Sequence, residues 1–196
     1  MNLPNKLTIF RIFLVGVFML FLFSHGVISK CMALATFLLA SLTDFLDGYI
    51  AKKNNMITSF GKLMDPIADK ILVLSALMAF VEMKLIPAWM VVIIIFREVT
   101  ITGLRIAALT QGKVLAAENG GKHKMVSQVL SIFVILLFLV FREGGSSIFN
   151  FWDHSVEKVY KDTILVLMAI TTLLTLASGI SYLIRNKGVY FNAKTG

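Results

Sequence analysis

The sequence predicts an all-α integral membrane protein with six transmembrane helices and both termini in the cytoplasm. Of the 196 residues, 58% are hydrophobic and only 15% are charged, whereas a soluble domain is about half apolar and about a quarter charged. Apolar stretches that suit a membrane helix recur six times along the chain. The Lys and Arg residues collect on one side of the predicted membrane, which gives the orientation.

The six apolar stretches define the predicted helices. A helix that crosses the hydrocarbon core needs about 20 mainly apolar residues. The second stretch ends at Asp44, the third contains Asp69 near its start, and the fourth ends at Arg97, so all three charged ends fall on one side. We therefore expect these helices to extend beyond the hydrocarbon there. The stretches cover approximately residues 8–24, 31–50, 58–82, 86–110, 124–141 and 160–184.

The distribution of positive charge indicates which side is cytoplasmic. With six spans, one side keeps only Lys30, Lys84, Arg142, Lys158 and Lys161, and the other basic residues lie with both termini on the opposite side. Cytoplasmic segments are enriched in Lys and Arg. The net charge of +8 fits this topology and attraction to anionic lipids. The alternative is that some of the basic residues bind phosphate groups. We find no nucleic-acid fold signature and expect no nucleic-acid partner.

Four aspartates stand beside the apolar stretches, in LTDFLDGYIAKKNNMITSFGKLMDPIADKILV, residues 42–73. Asp44 and Asp47 are three residues apart and Asp65 and Asp69 are four apart, so each pair shares a helix face. Four close carboxylates are tolerable only with bound cations or with some of them protonated. All-oxygen ligation favours Mg²⁺, Mn²⁺ or Ca²⁺ over zinc. A pair of such metals would activate an attacking oxygen and stabilise a leaving one.

Small residues accompany these carboxylates at Gly48, Ala51 and Gly61. Glycine lowers helix stability and needs another reason to be present. The reason is either close packing of helices or the close approach of a nucleotide or phosphate to the backbone. Pro66, directly after Asp65, either belongs to the first turn of a helix or kinks a longer one.

The spacing of these residues closely resembles the signature of the CDP-alcohol phosphotransferase family, D-x2-D-G-x2-A-R-x8-G-x3-D-x3-D. Seven of its eight fixed positions match. The eighth is Lys52, where the family has arginine. Lysine keeps the charge but loses the planar fork that binds phosphate through two hydrogen bonds. The six-span pattern is similar to that family across nearly the whole chain, so the resemblance implies one membrane domain over residues 1–196.

The flanking segments resemble the phosphatidylglycerophosphate synthase branch of this family. They are LPNKLTIFRI near the N-terminus and FREVTITGLRIAALTQGKVLAAENGGKHKMVSQ at residues 96–128. Met125 stands where that branch usually has threonine. The resemblance implies transfer of a phosphatidyl group from CDP-diacylglycerol to sn-glycerol 3-phosphate, which releases CMP. It also implies a place in phospholipid biosynthesis, in the bacterial cytoplasmic membrane with the active site facing the cytoplasm.

The resemblance further implies ligands and residue roles. The four aspartates would hold two divalent cations, Mg²⁺ or alternatively Mn²⁺, and Asp69 matches the family's general base. Relatives are homodimers, so we expect a homodimer surrounded by membrane lipids. The residues assigned to CDP-diacylglycerol are Asn5, Thr8, Gly48, Ala51, Lys52, Thr58 and Gly61.

The acceptor, a phosphate dianion, needs cationic donors on the cytoplasmic side. The candidates are Arg11, Arg105, Lys122 and Lys124. The alternative for each is a positive charge that only sets the membrane topology.

Two rival functions remain open from the sequence. Another member of the family, of the cardiolipin, phosphatidylserine or inositol-phosphate type, would share the signature, which recognises only the common CDP group. Residues 97–128 should face the acceptor alcohol and distinguish these members. A cation transporter would use the aspartates as an ion path, but transporters place such groups near the bilayer midplane, often in repeated halves. No repeat is found here.

Overall fold

The computed structural model describes the backbone of residues 3–54, 59–110, 120–145 and 153–187, and the side chains of most of these residues. The described residues form helices, with short turns at residues 24–26 and 83–87, which confirms the all-α prediction. Each predicted apolar stretch corresponds to one helix. The helices are α1 (Leu3–Phe23), α2 (Val27–Asn54), α3 (Ser59–Glu82), α4 (Ala88–Thr110), α5 (Gly120–Gly144) and α6 (His154–Arg185).

Several helices are longer than a bilayer core requires. At 1.5 Å per residue, the 28 residues of α2 extend about 42 Å, and the hydrocarbon core is about 30 Å thick. Two helical segments, Lys124–Gly144 and His154–Arg185, are long and apolar enough to cross a membrane, and shorter apolar segments occur at Phe10–Phe23 and Val27–Thr43. The structure therefore agrees with a membrane protein.

Side-chain contacts show that consecutive helices alternate in direction. The rings of Phe18 and Phe37 lie 5.9 Å apart across the antiparallel helices α1 and α2. Contacts of Ser131 with Thr171 and of Phe138 with Tyr160 join α5 and α6 in antiparallel order. In contrast, Arg97 and Arg105 of α4 meet Ser178 and Tyr182 of α6 in the same order, so α4 and α6 are parallel.

The bundle therefore has two ends. The Lys30 end contains Lys30 and Val27 of α2 beside Gly144 of α5. The other half of the bundle, which we call the Glu98 end, contains Glu98 near the middle of α4, Lys70 near the middle of α3 and Lys124 near the start of α5. Helix α2 finishes and helix α3 begins at the Glu98 end.

An apolar core joins these helices, and more of the buried residues are polar towards the Glu98 end. Phe18, Phe37, Phe80, Ile94 and Phe138 are completely buried. On α6, the buried positions nearer the Glu98 end are polar instead: Thr171, Thr172, Thr175 and Ser178. Thr171 bonds Ser131 of α5, and Ser178 accepts from Arg97 of α4, as hydroxyl groups between packed membrane helices often do. Thr172 and Thr175 instead donate to backbone carbonyls of α6 itself. Large apolar side chains also point outwards, among them Leu20, Ile28 and Phe96, as lipid-facing positions do.

The structure decides two points that the sequence left open or placed differently. Helix α3 begins at Ser59 and continues through Pro66, so this proline lies inside a longer helix rather than in its first turn. Helices α5 and α6 extend beyond the predicted stretches 124–141 and 160–184, because α5 continues to Gly144 and α6 begins at His154. Asp153 caps α6, since its carboxylate accepts a 2.7 Å hydrogen bond from the His154 backbone N–H.

Candidate active site

The aspartate segment lies on the last turns of α2 and the first turns of α3, and both parts are directed towards the Glu98 end. Helix α2 continues through Asp44 and Asp47 to Asn54, and α3 contains Asp65 and Asp69. The helical backbone places the two members of each pair on one face, as the spacing predicts. Their side chains lie outside the described residues, so the convergence of the four carboxylates stays a prediction. Among the side chains that the structure does describe, no group of three His, Cys, Asp or Glu residues could hold a metal.

The residues assigned to CDP-diacylglycerol fall in the same part of the bundle. Asn5 and Thr8 lie in the first turns of α1, which begins at the Glu98 end. The small and basic positions of the signature lie on the last turns of α2 and the first turn of α3. Their side chains, and Thr58 altogether, lie outside the described residues. The positions on α2 are Gly48, Ala51 and Lys52, and the position on α3 is Gly61.

A buried cluster of charged side chains occupies the Glu98 end. Glu98 is only 3% exposed. The ammonium group of Lys70 donates to its Oε2 atom and that of Lys124 donates to its Oε1 atom. Arg97 adds a 3.3 Å hydrogen bond from Nη1 to Oε1. One carboxylate therefore joins α3, α4 and α5.

The charges of this cluster do not cancel. Lys70, Arg97 and Lys124 supply three positive groups, and Glu98 supplies one negative group. An ammonium group has three N–H donors, and each lysine gives one to Glu98 in the structure as described. The remaining donors and the excess positive charge suit an anion such as a phosphate.

Arg97 also connects the cluster to α6. Its Nη2 atom donates to the Ser178 hydroxyl at 2.8 Å. A Cβ atom at Gly179 would lie 2.9 Å from the Arg97 Cγ atom, so only glycine leaves room for the arginine side chain as it lies. The buried Nε atom of Arg97 has no hydrogen-bond partner among the described residues.

The four candidates for the acceptor phosphate have different surroundings. Lys124 belongs to the charged cluster, and Lys122 lies in the first turn of α5, with its side chain outside the described part. Arg105 is exposed and lies over the ring of Tyr182, 5.3 Å from its centroid. Arg11 is 4% exposed, so it is buried within the bundle and does not lie on a solvated face.

From the sequence, Arg97 and Glu98 are only the charged end of an apolar helix, and Lys70 is only one of the basic residues on the predicted cytoplasmic side. The signal that could have identified them is the single acid of VVIIIFRE, residues 91–98. An acidic residue that follows an apolar helix, on the side that is rich in Lys and Arg, needs a positive partner. The identity of the partners depends on which helices are neighbours.

Comparison with known proteins identifies the class. The family model described as CDP-alcohol phosphatidyltransferase matches residues 1–177. The chain belongs to this family, which confirms the resemblance of the aspartate signature.

Two curated relatives share most of the chain. A CDP-diacylglycerol–glycerol-3-phosphate 3-phosphatidyltransferase of Bacillus subtilis is 42% identical over 148 residues, covering 69% of this chain and 77% of the relative. The protein of the same name from Rickettsia bellii is 34% identical over 183 residues, covering 92% of this chain and 93% of the relative.

Proposed function

We propose that this protein transfers the phosphatidyl group of CDP-diacylglycerol to sn-glycerol 3-phosphate, giving phosphatidylglycerol phosphate and CMP. The observation that carries the proposal is the buried cluster in which Lys70, Arg97 and Lys124 bond Glu98, in the half of the bundle towards which the aspartate-bearing parts of α2 and α3 are directed. The names of the relatives support this donor and this acceptor. The reaction joins two phosphate-containing substrates, and both parts of the site match phosphate chemistry.

The donor set of the aspartate segment fits divalent cations. Asp44, Asp47, Asp65 and Asp69 supply only oxygen ligands, which Mg²⁺ and Mn²⁺ accept. Two such ions, when bound, would neutralise the charge of the pyrophosphate and would lower the pKa of a coordinated hydroxyl group. Lys52 would add a positive charge beside the CDP group, without the two-pronged hydrogen bonding of the family arginine.

The protein's own side chains would position the substrates and accept the proton in the transfer step. The primary hydroxyl of sn-glycerol 3-phosphate attacks the β-phosphorus, and Asp69 accepts its proton. A new phosphorus–oxygen ester bond forms, the bond to the CMP oxygen breaks, and CMP departs. Catalysis of such transfers depends mainly on positioning and on charge neutralisation. Gly48, Thr58 and the first turns of α1 would hold the nucleotide.

The acceptor phosphate would bind on the side of α5. Lys124 offers an ammonium group at the Glu98 end, and Lys122 lies closer to the start of the same helix. The N-terminus of a helix adds partial positive charge and free N–H groups. Arg105 would contribute from α4, and Arg11 from its buried position in α1.

We further propose that the chain is one domain that crosses a bacterial cytoplasmic membrane six times, as a homodimer, with the Glu98 end in the cytoplasm. The alternating helix directions and outward apolar side chains support this topology, and the excess of Lys and Arg at the Glu98 end supports the orientation. A lipid substrate with its head group at the membrane surface would then meet a water-soluble acceptor at the active site.

The test is an assay of the purified protein with CDP-diacylglycerol, Mg²⁺ and sn-glycerol 3-phosphate, in which CMP and lipid product are both measured. Asp65→Asn and Asp69→Asn should lower turnover by about 10²-fold or more, as losses of groups that act on transition-state charge do. Asp162→Asn is the matched control, because Asp162 is exposed on α6 away from the Glu98 end. Full activity in the first two variants would refute the site.

Other acceptor alcohols distinguish the rivals. Transfer to serine, inositol phosphate or phosphatidylglycerol, without transfer to sn-glycerol 3-phosphate, would assign the protein to another member of the family. Absence of CMP release with every alcohol, both before and after Lys52→Arg, would contradict the enzymatic function.

A further inference from the structure

Glu98 has a role that the reaction chemistry does not require. It is 3% exposed, and both of its carboxylate oxygens accept hydrogen bonds from cations. Oε2 accepts from Lys70, whereas Oε1 accepts from Lys124 and Arg97. The carboxylate therefore sets the positions of ammonium groups that come from two other helices.

The charge of this cluster suits a particular ligand. Among the side chains that the structure describes, three cations around one carboxylate leave an excess of two positive charges. The Lys124 and Arg97 side chains are largely buried, whereas Lys70 is partly exposed, and buried positive charge without a matching anion is unfavourable. A phosphate monoester carries close to two negative charges at neutral pH, since its second pKa is about 6. Such a phosphate would complete the cluster.

We infer that Glu98 is a positioning residue that holds the ammonium groups of Lys70 and Lys124 for the phosphate of the acceptor. This inference rests on the proposed function for the identity of the acceptor. Glu98 does not touch the reacting atoms and acts through the two lysines. Arg97, held by Ser178 and accommodated by Gly179, completes the cationic side of the cluster.

The variant Glu98→Gln distinguishes two roles of Glu98: holding the lysine ammonium groups in place, and supplying a negative charge near the phosphate site. Glutamine has the same shape, but it replaces one carboxylate oxygen with an NH₂ group that repels an ammonium group. Loss of positioning should weaken acceptor binding, whereas simple loss of a negative charge near a dianion should strengthen it. Glu98→Asp keeps the charge on a shorter side chain, so it should fall between wild type and Glu98→Gln.

The experiment measures binding and turnover separately. Calorimetric titration of wild type, Glu98→Gln and Glu98→Asp with sn-glycerol 3-phosphate gives Kd, with glycerol as the control that lacks phosphate. Steady-state kinetics then gives KM for each substrate. In Glu98→Gln we expect Kd and KM for sn-glycerol 3-phosphate to rise about tenfold or more, which corresponds to the loss of one charge-assisted hydrogen bond. KM for CDP-diacylglycerol should stay close to the wild-type value.

The outcomes separate this inference from the proposed function. If wild type binds sn-glycerol 3-phosphate and Glu98→Gln binds it more weakly, the inference holds, even if no phosphatidyl transfer occurs and the proposed function fails. Unchanged or tighter binding in Glu98→Gln would overturn it. A lowered thermal midpoint with equal changes in both KM values would also overturn it, because that pattern indicates a purely structural role. Failure of wild type to bind the acceptor phosphate would overturn it as well.

Discussion

Both ends of the bundle bury a lysine, but they compensate its charge in different ways. At the Lys30 end, the Lys30 ammonium group donates to the backbone carbonyls of Leu22 and Ser24 at 2.7 and 2.8 Å. These carbonyls lie at the C-terminus of α1, where carbonyl groups lack helical partners and carry partial negative charge. At the Glu98 end, the Glu98 carboxylate accepts hydrogen bonds from Lys70, Arg97 and Lys124.

The difference shows how a structural cation can be distinguished from a candidate binding cation. Lys30 satisfies groups that the fold itself leaves unpaired, so its role is complete within the chain. Among the described side chains, Lys70, Arg97 and Lys124 carry more positive charge than the Glu98 carboxylate balances. Excess buried charge of this kind is a reason to look for a ligand.

Replacement of Lys30 should give the largest effect on stability. Lys30→Met removes two charge-assisted hydrogen bonds at the end of α1, so the free energy of unfolding should fall by roughly 3 kcal/mol. The thermal midpoint in detergent measures this change. Lys158→Met is the matched control, because Lys158 is exposed on α6 and should change stability little. Equal midpoints for the two variants would show that Lys30 does not support α1.

An added methyl group at Gly179 should give a smaller and more local effect. In Gly179→Ala the new Cβ atom would lie 2.9 Å from the Arg97 Cγ atom, so Arg97 must move away from Ser178. Overpacking of this kind costs about 1–3 kcal/mol, and KM for sn-glycerol 3-phosphate should rise severalfold. Gly16→Ala is the control, because nothing lies within 4 Å of its added Cβ. Identical KM values in both variants would separate Arg97 from acceptor binding.

The aromatic contact of Arg105 should give the smallest effect. Its guanidinium carbon lies 5.3 Å from the centroid of the Tyr182 ring, and such cation–π contacts contribute about 0.5–1 kcal/mol at exposed sites. Tyr182→Leu should therefore raise KM for the acceptor about two- to fivefold, whereas Tyr182→Phe keeps the ring and should match wild type. A KM increase that is the same in both variants would assign the effect to the hydroxyl group instead.

Local patterns predicted the helices well because they depend on neighbours in the chain. The apolar stretches located all six helices, and the spacing of Asp44 with Asp47 placed both on one turn of α2. The Glu98 cluster could not be predicted in this way, because its partners are 28 and 26 residues away and meet only when α3, α4 and α5 pack together. The burial of Arg11 and the capping role of Lys30 depend on tertiary packing for the same reason.

The most direct test of the contrast between the two ends is the KM for sn-glycerol 3-phosphate in Lys124→Met and Lys30→Met, measured beside wild type at saturating CDP-diacylglycerol. Lys124→Met leaves Glu98 paired with Lys70 and Arg97, so the fold should persist. We expect its KM to rise about tenfold or more, through loss of one charge-assisted contact to phosphate, while Lys30→Met keeps the wild-type KM and loses only stability. An unchanged KM in Lys124→Met, or an equal rise in both variants, would contradict the assignment of acceptor binding to the Glu98 end.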